Sequence, residues 1–333
     1  MKIYLTLDYE LYLGSKTGSV QNCLFIPTAA LLEVLDKYGI KATFFVDAAY
    51  LLRMSQLKES NCRLQDEYMQ VCKHIASLSE GGHSIQMHFH PQWLYSQHDG
   101  KEWEMDFEHY KMSDLEQCEC CHLFEKSYNL LQSLSKKPIT SFRAGGYSIM
   151  NFADYTELFG RLGIKNDSSA LRGRYADSIY QKYSYLDIPL LTKYNFSTDI
   201  TEKDDSGSFV EYPIATGRTK GIVSTMRIIK EKLSHHDKSL TRKWGDGKSV
   251  GSVSDKQSSY LIRNLKSAFS TSIEIASIDN MGASLENVFN YSNKHYKGED
   301  FVIIGHPKNI TLYSLQMFEV FVNNHKEDSF ELL

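Results

Sequence analysis

His88-Phe89-His90 closes the run Ser84-Ile85-Gln86-Met87 and is followed at once by Pro91. In an extended segment, side chains two residues apart share a face, so both imidazoles can reach one cation. Two partly buried histidines would show the same spacing, so a metal site needs a carboxylate from a second strand end. Asp8-Tyr9-Glu10 offers one. It ends the β-rich stretch Lys2 to Leu7, and its two acidic side chains fall on the same side. Three more polar residues end strand-like runs: Arg143 before the turn Ala144-Gly145-Gly146-Tyr147, Asp167 after Ile164, and His306 after Asp300-Phe301-Val302-Ile303-Ile304.

The elements that must carry these residues alternate regularly. Pro27 opens a helix through Tyr38 that Gly39 stops, and Lys41-Ala42-Thr43-Phe44-Phe45-Val46 has the pattern of a strand covered on both faces. A helical period runs from Gln65 to Glu80 and ends at Gly81-Gly82, before the histidine strand. Residues 94 to 113 form a polar and aromatic insertion after that strand, too long for a plain turn and placed to roof the site. Helices follow over 114–135 and 151–162, short strands over 139–143 and 164–167, and a further strand over 209–214. Beyond these, helices are expected over 222–233, 260–269, 285–295 and 311–323, with strands over 272–278 and 300–304. His235 and His236 read as solvated loop residues. About seven strand and helix pairs with polar residues at the strand ends predict a parallel barrel, whose active-site face is the carboxyl ends of the strands. The expected organisation is one domain over 1–333 with an irregular insertion over 217–257.

Composition removes other classes. The 333 residues are 42% hydrophobic with a net charge of −4, so a sizeable core is expected and no basic excess points to nucleic acid. No apolar run is long enough to span a membrane, and no secretory leader precedes the first strand, so a cytoplasmic protein is expected. The six cysteines read as free thiols.

Several segments together resemble the polysaccharide deacetylase family, the NodB-homology or carbohydrate esterase family 4 enzymes. Thr6-Leu7-Asp8-Tyr9-Glu10 is similar to the family's T-F-D-D, and Ala42-Thr43-Phe44-Phe45-Val46 to its second strand. Gly82-His83-Ser84-Ile85-Gln86-Met87-His88 resembles G-H-E-I-x-x-H. Phe142-Arg143-Ala144-Gly145-Gly146-Tyr147 resembles F-R-x-P-x-G, and Ile303-Ile304-Gly305-His306 the terminal L-L-H. Two spacings depart from the pattern. Tyr9 separates carboxylates that are adjacent in the family, and the second metal histidine stands two residues on, at His90, because position 92 is Gln92.

The resemblance implies a distorted parallel (β/α)7-type barrel that removes an acetyl group from an N- or O-acetylated sugar, oligosaccharide or saccharide precursor. It implies a divalent metal, zinc foremost, on Glu10, His88 and His90. It further implies Asp8 as base, Arg143 holding Asp8, His306 as general acid, Asp167 paired with His306 or Arg143, and Trp93 and Tyr147 as substrate walls. Which of Asp8 and Glu10 takes the metal is open at this point, as is the oligomeric state. Two other readings follow from the altered spacing: a degenerate barrel that only binds saccharide or a partner protein, and an amide hydrolase of the allantoinase type.

Overall fold

The computed structural model describes residues 1–220, 226, 238–249, 271–279 and 284–333. The helices expected over 222–233 and 260–269, and His235 and His236, lie outside the described residues.

Among the described residues, seven strands run parallel along the main path of one curled sheet: β1 (Lys2–Tyr9), β2 (Thr43–Asp47), β3 (Ser84–Phe89), β6 (Ser141–Ala144), β7 (Asn166–Asp167), β11 (Phe209–Glu211) and β14 (Asp300–Gly305). Their spatial order is β11-β7-β6-β3-β2-β1-β14, with β10 (Tyr194–Phe196) antiparallel on the outer side of β11; β15 (Ser329–Glu331) joins parallel to β1 off that path. Between β3 and β6 lie two short strands, β4 (Gln97–His98) and β5 (Trp103–Glu104); β8 (Tyr175–Asp177) and β9 (Lys182–Ser184) form a separate hairpin. The ring is completed by single bridges rather than a full ladder: Ile214 pairs with both Leu171 and Val302, and Ser277 with Ile304. The expected strand over 272–278 is therefore divided. Thr271–Ile275 (β13) turns away to pair antiparallel with β12 (Thr216–Lys220), and the residues after it return to β14.

Local chemistry explains the main elements. All five residues of β2 are buried, and β3 is buried throughout, as expected for sheet strands covered on both faces. Helix α1 (Ile26–Tyr38) carries its proline in the first turn and ends at Gly39, whose φ of 66° is the left-handed cap a glycine adopts without strain. α2 spans Ala48–Leu57. Asn61 caps α3 (Cys62–Glu80) by accepting from the N–H groups of Arg63 and Leu64. Three more helices pack outside the sheet: α4 (Gln117–Gln132), α5 (Thr156–Leu162) and α6 (Leu285–His295), with α7 (Leu312–Asn324) near the C-terminus. No helix among the described residues is long and apolar enough to cross a membrane.

Register brings the strand ends level. Asp47 lies opposite His88, His88 opposite Arg143, and Leu7 opposite Gly305, so the residues that follow each strand open on one face.

Candidate active site

Arg143 sits at the centre of that face and is fully buried. Its Nη1 donates to Asp8 Oδ1 at 2.6 Å, its Nη2 to Thr6 Oγ1 and Ser168 Oγ, and its Nε to the Ser168 carbonyl. Phe45 covers the guanidinium from one side, 4.3 Å from ring centre to Cζ. Four donated bonds and an aromatic face fix the cation, and the cation fixes Asp8. Burial would raise the Asp8 carboxyl, but Arg143 and then His88 outweigh it and hold the group below its ordinary range. Asp8 is thus an ionised, aimed carboxylate, with Oδ2 3.5 Å from His306 Nε2.

Glu10 follows β1 and is also buried. Lys308, itself buried, donates to Glu10 Oε1 at 2.9 Å and to the Leu11 carbonyl at 2.7 Å. The other oxygen, Oε2, stands 3.4 Å from His88 Nε2 and 3.0 Å from His90 Nε2, yet completes no hydrogen bond. His88 Nδ1 lies 2.7 Å from the Arg143 carbonyl, which can only accept. The proton therefore belongs on Nδ1, and the neutral ring turns a lone pair from Nε2 toward Glu10. Acceptors converging in a buried space require a proton or a cation between them. Burial works against a charge on His88, but Asp8, then Glu10, raise its pKa to about 9, which is the proton's version of that requirement. Burial likewise raises Glu10, while Lys308 and then His90 pull it well below its ordinary value.

The three ligand atoms lie within 4.8 Å of one another, a spread that a tetrahedral ion with bonds of about 2.0–2.2 Å closes with small side-chain shifts. Glu10, His88 and His90 therefore fit a divalent metal; of the two carboxylates, Glu10 faces the imidazoles and Asp8 faces Arg143. Space for the His90 ring depends on Gly145, where a Cβ would stand 2.6 Å from His90 Nδ1.

His306 completes the face. Its Nδ1 is 3.0 Å from Asp279 Oδ2, and its backbone N–H donates to Asp279 Oδ1 at 2.8 Å. Burial pushes the imidazole down, but Asp279 outweighs it and the pKa is raised. Nε2 is left facing Asp8 and, at 3.8 Å, Glu10. Asp8, Glu10, His88, His90, His306 and Lys308 open into a cavity of about 180 Å³, walled also by Tyr110, Gly146, Tyr147, Gln181 and Asn309 among others. Tyr147 holds φ of 61°, costly for a bulky side chain; its carbonyl is held by the Tyr185 hydroxyl at 2.7 Å.

The structure thus brings Asp8, Glu10, His88, His90, Arg143, Tyr147 and His306 together, while Asp167 and Trp93 stand elsewhere. Asp167 pairs with neither His306 nor Arg143; it accepts from Ser169 N and Oγ and lies beside Glu211, because β7 places it on the far side of Ser168. Trp93 is fully buried against Tyr50 and Trp103, with ring centres at 4.6 and 5.2 Å, and does not line the cavity. The turn after β3 carries it into the core rather than over the site. Sequence reasoning missed Asp279, Lys308 and Tyr110. Asp279 follows the strand-like run 272–278, so the strand-end rule that found the others would have reached it. Lys308, two residues beyond His306, gave no separate signal.

Residues 18–160 match the model of the polysaccharide deacetylase family, so the resemblance seen in the motifs holds over that stretch. That family is one of hydrolases acting on acetylated sugars. The match takes in the histidine and arginine strands but neither Asp8 and Glu10 nor His306. No curated protein matches the chain. Among solved structures, a candidate polysaccharide deacetylase of Mycobacterium smegmatis is 13% identical and superimposes with a TM-score of 0.50, over 99% of this chain and 86% of that one. This likeness supports the barrel fold. A polysaccharide deacetylase of Bacillus cereus (13% identity, 100% and 91% coverage, TM-score 0.39) and the PuuE allantoinase (11%, 99% and 87%, 0.46) superimpose too loosely to carry an argument.

Proposed function

We propose that the protein is a metal-dependent deacetylase that hydrolyses an acetamide or acetate ester on a sugar or saccharide precursor. The observation that carries this reading is the unpaired Glu10 Oε2 facing the Nε2 atoms of His88 and His90 in a buried space beside an ionised Asp8. Glu10, His88 and His90 would hold a divalent ion, zinc by ligand type, which supplies Lewis acidity to the acyl carbonyl and to water.

The remaining groups divide the proton work. Asp8, kept ionised by Arg143, accepts the proton of the attacking water. His306 gives a proton from Nε2 to the departing amine or alcohol, and Asp279 keeps its Nδ1 protonated so that Nε2 faces the reacting atoms. Tyr147 and Tyr110 line the space left for the acetyl group and its sugar.

Purified protein should bind zinc, measured by elemental analysis and titration, and release acetate from acetylated sugars or from 4-nitrophenyl acetate. His88→Ala should lose both metal and activity. A folded protein that takes up no metal at any concentration, with the His88→Ala variant indistinguishable from it, would sink the reading.

A further inference from the structure

Two excursions from the barrel meet beside the candidate active site, and their junction is built rather than incidental. The first is the insertion between β3 and α4; the second is the β8–β9 hairpin, which follows β7. Lys111, from the insertion, is buried to 9% exposure, and its Nζ donates to the Ile179 carbonyl at the hairpin tip at 2.6 Å. Asp114 holds the same ammonium at 2.9 Å. Tyr180 from the tip packs edge-on against Tyr110, 5.5 Å between ring centres, and against Phe107 at 6.3 Å. Tyr110 in turn stands edge-on to the His90 ring at 5.8 Å and lines the cavity. The hairpin is tied down again at its other side: Gln181 Nε2 donates to the Gly146 carbonyl, and Lys182 N to Ser148 Oγ.

A buried cation that donates across the junction, with the Tyr180 ring packed on Tyr110 and Phe107, makes a clasp whose loosening costs the Lys111–Ile179 hydrogen bond and the Tyr180 ring contacts, while Asp114 stays with the ammonium. It bridges from the end of β3 to the region beyond β7 and so fixes Tyr110 and Gln181 in the wall of the cavity on the β3-β6-β7 side. An internal unit of a polymer held at the site would have to send chain out in two directions, whereas a chain end or a small molecule needs only one exit.

We propose that this clasp limits the substrate to a small acetylated sugar or the terminal acetylated unit of a saccharide, and excludes interior units of a polymer. The inference rests on the deacetylase reading of the site and adds to it the size class of the substrate, with Lys111, Ile179 and Tyr180 as the residues that set it.

The test compares zinc-loaded wild type with Lys111→Ala, Tyr180→Ala and the double variant, each checked for fold by circular dichroism and melting. The probes are 4-nitrophenyl acetate, short oligomers of N-acetylglucosamine, and glycol chitin as an acetylated polymer. Wild type should act on the ester and strip oligomers at one end only, with positions read by mass spectrometry. Opening the clasp should raise the rate on glycol chitin relative to the ester by about tenfold or more, as differences in kcat/KM report changes in transition-state access, with the ester rate itself held. Wild-type removal of acetyl groups from interior units, or clasp variants that leave the polymer-to-ester ratio unchanged, would overturn the proposal. A zinc-loaded protein that hydrolyses none of the probes, ester included, would instead refute the deacetylase reading beneath it.

Discussion

Replacing Asp279 by asparagine isolates one assignment that the tertiary structure alone makes. The side chain accepts from the His306 backbone at 2.8 Å and stands 3.0 Å from Nδ1, while lying outside the cavity wall. Asparagine can keep the backbone contact but loses the charge, and its amide can turn to donate to Nδ1, which would move the imidazole proton to Nε2. A hydrogen bond to a charged group is worth about 1.5–3 kcal/mol. Lost only when His306 carries its extra proton, that energy corresponds to a fall in kcat of roughly 10- to 150-fold at about 1.36 kcal/mol per decade. KM should stay near the wild-type value because Asp279 does not itself line the cavity. The assay is steady-state acetate release by Asp279→Asn, His306→Ala and the double variant. Two residues acting as one unit are non-additive, so the double variant should be no slower than His306→Ala. Losses that multiply in the double variant, or an Asp279→Asn enzyme with unchanged kcat, would refute the assignment.

Lys308→Met removes the cation beside Glu10 and leaves a buried carboxylate without its partner, which costs about 3–5 kcal/mol in comparable buried pairs. Added zinc should recover part of that loss because the ion replaces the missing charge; denaturant midpoints with and without zinc measure it, and an equal deficit in both would contradict the role given to Glu10. Away from the site, burial raises Asp167 to about 6 and Glu211, which neighbours it, well above its ordinary range. Groups raised in the folded state stabilise it below their unfolded values, so stability should fall as pH rises from about 4 through about 6 and beyond. Glu211→Gln, which mimics the protonated acid and can still accept from Ala170 N, should flatten that fall; a wild-type melting profile flat from acid to mildly alkaline pH would contradict it.

Much of the site was legible because barrel strands announce their ends. β1, β3, β6 and β14 are strand-like runs that stop at polar residues, and the stop is where the active face begins, which found Glu10, His88, Arg143 and His306. The rule is blind to direction after the strand. Trp93 follows His90 by three residues, yet a turn of helix at Pro91–Leu94 carries it into the core. It is also weakest where strands are two or three residues long, as at β7, or where the chain joins the sheet by single bridges, as at Ser277. There no hydrophobic period is long enough to read.

The sequence by itself determined the repeating strand-and-helix order, the barrel class, and which residue types stand at the strand ends, since these depend on local periodicity and on caps such as Gly39. The Arg143–Asp8 pair is implied by the family resemblance, but only the tertiary structure decided the other partnerships. Lys308 takes one oxygen of Glu10 so that the other faces His88 and His90, and Asp279 rather than Asp167 holds His306. Each of these contacts joins distant parts of the chain, and its geometry follows from sheet order, register and curl. Local spacing carries no record of those three quantities, and the shape of the cavity, with its clasp from Lys111 to Ile179, is set by them as well.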